Sequence, residues 1–275
     1  MGFSLDGIEA LVTGASAGLG EEFARQLAPR AKKLWLVARR RDRLAALRDE
    51  LERAHPGLEV GVLPLDLGAP SAAETTLTWL KREQAALGLL VNNAGLGDYG
   101  EFATSDWERV QQLLRVNIEA LTALTHRLLP LLRQEAPAGI LHVSSLASCA
   151  PIPDFAAYAA SKAYVTSFSE ALRIELQEQG IRVTALCPGP VPTEFGLSSI
   201  RPGEELGPDY QKASRRMEIS PARAVSAGLR GLEKDRPCVF PGAWVRLMAS
   251  LLSCLPMWCL RPALSSRPRK RSEEL

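Results

Sequence analysis

The chain has 275 residues, 46% of them hydrophobic and 23% charged, which is enough apolar material for one large core. A formal net charge of +2, with no wide basic face outside the extreme C-terminus, gives no ground for a nucleic-acid partner. Five scattered cysteines without a C-x-x-C pair read as reduced thiols in a reducing, cytoplasmic compartment, and three histidines without ligand spacing read as structural, so no metal is expected.

Met1 to Gly7 is too short and lacks the apolar run of a signal peptide. Ile8–Thr13 then reads as a short buried strand, and it runs into Gly14-Ala15-Ser16-Ala17-Gly18-Leu19-Gly20. A helix over Gly18–Leu27 follows, with Phe23, Ala24, Leu27 and Ala28 on its apolar side. Strand, glycine-rich turn, then helix is the context that a dinucleotide site requires. The glycines allow a tight turn and close approach to a pyrophosphate, and the helix N-terminus presents unpaired N–H groups. The spacing is G-x-x-x-G-x-G rather than G-x-G-x-x-G.

Further strands are expected at Lys33–Ala38, Glu59–Pro64, Leu89–Asn92, Gly139–Ser144, Arg182–Cys187 and Cys238–Phe240. Helical patterns fall near Asp42–Ala54, Ser71–Ala86, Arg115–Arg133, Phe155–Gln179 and Pro221–Glu233. Short apolar strands separated by helices imply an α/β fold, a doubly wound parallel sheet of about seven strands in one domain spanning 1–241. Ligands of such sheets bind at the C-terminal strand ends, near the switch in strand order.

The motifs fall at those ends. The second strand closes in Leu36-Val37-Ala38 and continues Arg39-Arg40-Arg41, with no acidic residue to accept a ribose 2′-hydroxyl. Arg39 is suited to a 2′-phosphate through a charge-assisted pair, which favours NADP(H) while leaving NAD(H) open; a solvated charge run is the alternative. Asp66, in Leu65-Asp66-Leu67 after the third strand, suits a local turn or cap. The small residues of Asn92-Asn93-Ala94-Gly95 let backbone approach a ligand, and the Asn side chains can fasten adjacent strands. Ser145 closes the fifth strand, and either Ser144 or Ser145 is placed to point into the pocket. Tyr158 and Lys162 stand four apart in a helical stretch, placing a phenol and an ammonium one turn apart on one face. A fixed positive charge beside a tyrosine favours the phenolate and makes the pair a usable general acid/base.

Thr13-Gly14-Ala15-Ser16-Ala17-Gly18-Leu19-Gly20, Asn92-Asn93-Ala94-Gly95, Ser145, Tyr158-x-x-x-Lys162 and Pro188-Gly189 occur in one order and spacing. In this the chain resembles the short-chain dehydrogenase/reductase family, in its shorter single-domain branch, from about Ile8 to Thr193. The resemblance implies a Rossmann-type fold and hydride transfer between a nicotinamide cofactor and a ketone, aldehyde or alcohol. It assigns the diphosphate to Gly14, Ser16, Ala17, Gly18, Leu19 and Gly20, the adenine side to Asp66, Leu67, Asn93, Ala94 and Gly95, and NADP preference to Arg39. It selects Ser145 over Ser144, gives Asn117 a helix kink that exposes a carbonyl to a water near Lys162, and makes Tyr158 the proton donor. The carboxamide falls to the turn Pro188, Gly189, Val191 and Thr193, whose prolines are rigid. A homo-oligomer through Arg115–Arg133 and Phe155–Gln179 is implied as well.

Residues 194–220 mix Phe195, Leu197, Ile200 and Tyr210 with Gly, Pro and charges, a composition suited to a lid over the pocket or to a surface excursion. The extension 242–275 begins uncharged from Leu247 to Leu260, with Trp244 before it and Arg261, Arg267, Arg269, Lys270 and Arg271 after it. As a helix the uncharged run covers about 20 Å, short of the roughly 30 Å hydrocarbon core. Contact with a membrane surface through 242–271 is one expectation, and packing over a subunit interface or the pocket is the other. A lipophilic substrate fits both. Two alternatives to an oxidoreductase stand beside it: a non-catalytic NADP-binding regulator, disfavoured by retention of Asn117, Ser145, Tyr158 and Lys162 together, and an epimerase or dehydratase with retained cofactor, disfavoured by the glycine spacing and the lack of a longer C-terminal domain.

Overall fold

A computed structural model describes residues 2–206 and 208–265. Seven strands, β1 (Glu9–Thr13), β2 (Lys33–Ala38), β3 (Glu59–Pro64), β4 (Leu87–Asn92), β5 (Ala138–Val143), β6 (Ile181–Leu186) and β7 (Cys238–Val239), pair in parallel in the order β3-β2-β1-β4-β5-β6-β7. The order reverses between β1 and β4, so a crevice opens above the C-terminal end of β1. Each expected strand is present, β2 and β3 with the expected bounds and the other five shifted at one or both ends by one or two residues.

The helices are α1 (Gly18–Leu27), α2 (Arg41–Ala54), α3 (Ala72–Arg82), α4 (Trp107–Leu114), α5 (Leu121–Gln134), α6 (Ala156–Leu176), α7 (Glu194–Ser199), α8 (Pro208–Met217), α9 (Pro221–Glu233), α10 (Ala243–Cys254) and α11 (Met257–Ser265). Period-two alternation in the strands feeds two cores, one on each sheet face. Ala10 and Val12 of β1 pack with Phe23 and Leu27 of α1, Leu44 and Leu51 of α2 and Leu229 of α9. Leu11, between them, points the other way, toward Leu80 of α3, Leu124 and Leu128 of α5 and Leu172 of α6. Burial on both faces is what makes these strands continuous apolar runs.

Three regions differ from the sequence expectation. The helix expected over Arg115–Arg133 is a longer rod: α4 leads into a widened π-helical turn, Arg115–Ala120, which leads into α5. Asp106 caps α4 by accepting from the Glu108 amide at 3.1 Å, a signal that the apolar periodicity alone does not carry. The segment 194–220 contains two helices, α7 and α8. The uncharged tail is two helices rather than one, because the chain turns extended at Leu255, ahead of Pro256. Of its basic residues, Arg267, Arg269, Lys270 and Arg271 lie outside the described residues, and Gly207 likewise interrupts the 194–220 segment.

Candidate active site

The crevice floor is built by β1, β4 and the turn between β1 and α1. Gly14 adopts φ +67°, and a Cβ there would lie 2.8 Å from Asn93 Nδ2. A Cβ on Gly20 would lie 2.2 Å from the Gly14 carbonyl oxygen, so only glycine lets α1 pack this close to the turn. Thr13 Oγ1 accepts from the Asn93 and Ala94 amides at 2.9 and 3.0 Å, and Asn93 Nδ2 donates to the Thr13 carbonyl at 2.8 Å. Asn93 therefore fastens the ends of β1 and β4. Ala17, the N-cap of α1, has no side-chain cap, which leaves amides of the first turn for an anion. Backbone room at Gly14, Gly18 and Gly20 with uncapped amides beyond it fits a dinucleotide diphosphate.

Across the crevice β5 and α6 supply the polar cluster. Ser144 is buried, and its Oγ bonds to the Lys162 carbonyl at 2.9 Å and to Thr166 Oγ1 at 2.7 Å, so it is occupied inside the fold. Ser145 is half-buried and accepts only a local 3.1 Å bond from the Ala147 amide, which leaves its hydroxyl proton for the pocket. Lys162 is 4% exposed; its Nζ donates to the Val143 carbonyl at 2.9 Å and stands 5.8 Å from the Tyr158 ring centroid. Burial pushes the Lys162 ammonium down to about 8. Tyr158 is half-buried, with Phe155 at 5.5 Å and Phe195 at 5.8 Å between ring centroids, and Tyr99 follows Phe155 at 4.9 Å. The phenol therefore sits at an aromatic wall.

Asn117 lies in the π-helical turn and is 1% exposed. Its Oδ1 accepts from the Leu96 amide at 2.8 Å, while Nδ2 donates to the Leu96 carbonyl at 2.9 Å and to Ser161 Oγ at 3.0 Å. The side chain thus pins the 93–97 loop to α6 beside Lys162. A Cβ on Gly95 would come within 3.4 Å of Lys162 Nζ and 3.3 Å of Asn117 Oδ1, so glycine keeps this corner open. Nearby His142 is buried between Thr125 and Ser169, and burial drives its imidazole down to about 3. A neutral structural histidine results, as its lack of ligand spacing implies.

Only some of the remaining expected residues reach the crevice rim. Pro188 is buried and its carbonyl accepts from the Leu146 amide at 2.8 Å, joining its turn to the segment after Ser145. Val191 is half-buried, and Thr193 stands against Gly18, whose Cβ position is 3.2 Å from Thr193 Cβ. Gly189 faces away from the crevice, toward Val245 of α10 and Met217. Asp66 is exposed and accepts from the Gly68 amide at 2.9 Å, forming a local turn, while the Leu67 side chain is in the core. Arg39 is exposed past β2. Its neighbour Arg40 makes the contacts with the glycine turn: Nε to Ser16 Oγ at 3.3 Å, Nη2 to the Ser16 carbonyl at 3.1 Å, and an ion pair with Glu194 at 2.9 Å. Arg43 joins Glu194 at 2.6 Å. Nothing in a run of three arginines distinguishes Arg40 beforehand. Residues 97–99 carry a second unforeseen group: Asp98, 3% exposed, pairs with Arg201 at 2.6 Å and Arg109 at 2.8 Å and ties α7 to that loop.

Comparison with known proteins agrees with this geometry. Residues 9–201 match the family model for short chain dehydrogenase. An uncharacterized oxidoreductase of Myxococcus xanthus is 38% identical over 193 residues, 70% of this chain and 76% of that protein. Sulfoacetaldehyde reductase 2 of Chromohalobacter salexigens is 36% identical over 192 residues, 68% of this chain and 74% of that protein. Among solved structures, a short-chain dehydrogenase from Sphingobium yanoikuyae in complex with NADPH superposes with a TM-score of 0.76 at 29% identity, covering 97% of this chain and 99% of that one. The chain belongs to the short-chain dehydrogenase/reductase family and is an oxidoreductase of alcohol and carbonyl groups.

Proposed function

We propose that this protein reduces a ketone or aldehyde with NADPH, Tyr158 acting as general acid, and that NADH is accepted less well. The observation that carries this reading is the buried Lys162, whose Nζ lies between the Val143 carbonyl and the Tyr158 ring. A charge held there favours the phenolate over the phenol and so eases proton release from Tyr158. The Ser145 hydroxyl polarises the substrate carbonyl and donates to the oxyanion as it develops. Asn117 holds the 93–97 loop and Ser161, keeping Lys162 and Gly95 in register and a path for water open beside them. Gly14, Ser16, Ala17, Gly18, Leu19 and Gly20 would hold the diphosphate, Pro188, Val191 and Thr193 the carboxamide side, and Asp66, Leu67, Asn93, Ala94 and Gly95 the adenosine side. Bound there, the reduced nicotinamide supplies the hydride.

Support for NADP(H) comes from the arginines after β2 and from the NADPH carried by the Sphingobium yanoikuyae structure. Tyr99, Phe155, Tyr158 and Phe195 line the approach with aromatic rings, which suits an apolar flank on the carbonyl and thus a lipophilic substrate. Residues 194–220 serve as the lid and 1–241 as the catalytic domain in this reading. Homo-oligomerisation through α5 and α6 is supported by exposed Tyr164 and Ile174 on α6, a cytoplasmic setting by five free thiols, and contact of 242–271 with a membrane surface by the apolar face that α10 turns outward. Following NADPH and NADH oxidation across a panel of ketones and aldehydes tests the assignment. Turnover with NADPH on at least one bulky apolar carbonyl supports it, and cofactor binding without turnover of any member overturns it.

A further inference from the structure

Arg40 and Arg43 converge on a single carboxylate. Arg40 Nη1 donates to Glu194 Oε2 at 2.9 Å and Arg43 Nη1 to Glu194 Oε1 at 2.6 Å, one guanidinium on each oxygen. Among the described residues neither arginine pairs with any other carboxylate. Both cations belong to the start of α2, Arg40 as its N-cap and Arg43 in its first turn. The carboxylate comes from far along the chain, as the first residue of α7.

Arg40 holds two places at once. Its Nε and Nη2 donate to Ser16 of the glycine turn while Nη1 donates to Glu194, so each of its three nitrogens already has an acceptor. Thr193, just before Glu194, stands against the same turn, with its Cβ 3.2 Å from where a Gly18 Cβ would lie. The start of α7 is therefore seated on the turn that suits a diphosphate. Its carboxylate is tied to the cations that suit a 2′-phosphate.

Burial does not hold this contact. The Glu194 side chain is 53% exposed, with Arg40 at 41% and Arg43 at 45%. Ion pairs this open to water hold weakly and exchange readily. Arg43 first, and Arg40 after it, keep the Glu194 carboxyl below its ordinary 4.5, so it is charged throughout the neutral range. A phosphate monoester offers the same paired oxygens to two guanidinium groups, with up to about twice the charge. Two such anions repel each other and cannot share one pair of cations. An arriving phosphate must displace an acceptor from Arg40, and Glu194 is the acceptor that repels it.

We infer that Glu194 is a specificity-determining residue, an internal anion that competes with the cofactor's 2′-phosphate for the Arg40–Arg43 pair. The inference rests on the NADPH reading given above and deepens it. NADPH binds by exchanging one anion for the other. NADH carries a hydroxyl at that position and leaves Glu194 on the arginines. The acid thus lowers affinity for the phosphorylated cofactor alone and narrows the gap between the two.

Full-length wild type, E194Q, E194D, R40Q/R43Q and E194Q/R40Q/R43Q are titrated with NADPH and NADH at one salt concentration, following nicotinamide fluorescence. A thermal midpoint establishes that each is folded. E194Q is expected to bind NADPH roughly three- to tenfold more tightly, the worth of one or two exposed ion pairs, and to bind NADH as wild type does. E194D keeps a carboxylate for the arginines and is expected to retain the wild-type ratio of the two affinities. Adding E194Q to R40Q/R43Q is expected to change neither affinity, because nothing is then left to compete for. Equal tightening toward both cofactors, or tightening that persists without the arginines, would mean direct repulsion of the diphosphate and overturns the inference. Weaker NADPH binding by E194Q would mean that the ion pair closes over the cofactor, and unchanged binding that the pair is idle; either overturns it. A wild type that binds NADPH no tighter than NADH, with the same ratio in R40Q/R43Q, ends the NADPH reading itself and the inference with it.

Discussion

Lys162 and Val143 are joined by a 2.9 Å hydrogen bond that crosses from α6 to the end of β5. It aims the ammonium at the base of the crevice, two residues before Ser145 and one helical turn after Tyr158. Three groups carried by two elements are thereby set by a single buried contact. A lysine placed for solvation alone would not be 4% exposed.

Burial holds the Lys162 ammonium down to about 8, below its ordinary 10.5. The charge that assists Tyr158 is therefore present below that pH and lost above it. kcat/KM for NADPH, which reports the free enzyme, is expected to be level in the neutral range and to fall as pH rises through about 8. Since the unfolded chain keeps this proton up to the ordinary value, the same group adds stability as pH rises between the two. A profile that stays flat well into the alkaline range would contradict the role given to Lys162.

Arg40 touches the glycine turn while Arg39 remains exposed. A charge-assisted bond to a 2′-phosphate is worth about 1.5–3 kcal/mol, at least roughly tenfold in affinity. R39A and R40A are each expected to lower kcat/KM for NADPH relative to NADH, with the larger effect at Arg40, since its guanidinium already reaches Ser16. Steady-state kinetics with both cofactors check this. An unchanged ratio removes the arginine concerned from cofactor selection.

A Cβ on Gly20 meets the Gly14 carbonyl at 2.2 Å, and backbone cannot yield as a side chain does. G20A is expected to cost about 1–3 kcal/mol of stability and to weaken NADPH binding more than tenfold, because α1 must move off the turn. Fluorescence titration of NADPH beside a thermal melt measures both. Wild-type binding in G20A would show that α1 does not hold the cofactor.

Asp98 is opposed by burial, yet Arg201 and Arg109 outweigh it and hold its carboxyl below the ordinary 3.8. That contribution to stability is present above the ordinary value and is lost as pH falls below it. R201A leaves a buried carboxylate with one partner and is expected to cost about 3 kcal/mol, with early proteolysis within 194–206. D98N/R201A is expected to recover part of the loss, since no charge is then left buried. A thermal midpoint equal to wild type in R201A would show that the Asp98 pair does not fasten the lid.

Strands, glycine turn and the Tyr158–Lys162 pair are legible in sequence because each rests on local periodicity or spacing. Leu11 alternates between Ala10 and Val12, and the two cores follow that alternation directly. Ser145 is separated from Ser144 by burial and by the reach of Thr166, neither visible along the chain. Arg40, Glu194 and Asp98 were not readable for the same reason: each acts through partners far away in sequence, Ser16 and Glu194 for Arg40, Arg201 and Arg109 for Asp98. The start of the rod from α4 to α5 is not legible in the apolar pattern, because Asp106, its cap, precedes that pattern. In the tail, composition announces an apolar segment, but only the fold shows which edge of α10 remains uncovered.

The central claim is that the Tyr158 hydroxyl delivers the proton in carbonyl reduction, and single-turnover NADPH oxidation by Y158F with a reducible ketone tests it most directly. The account predicts a rate lower by a factor on the order of a hundred or more, with NADPH affinity within a few-fold of wild type. A variant that oxidises NADPH at close to the wild-type rate would contradict it.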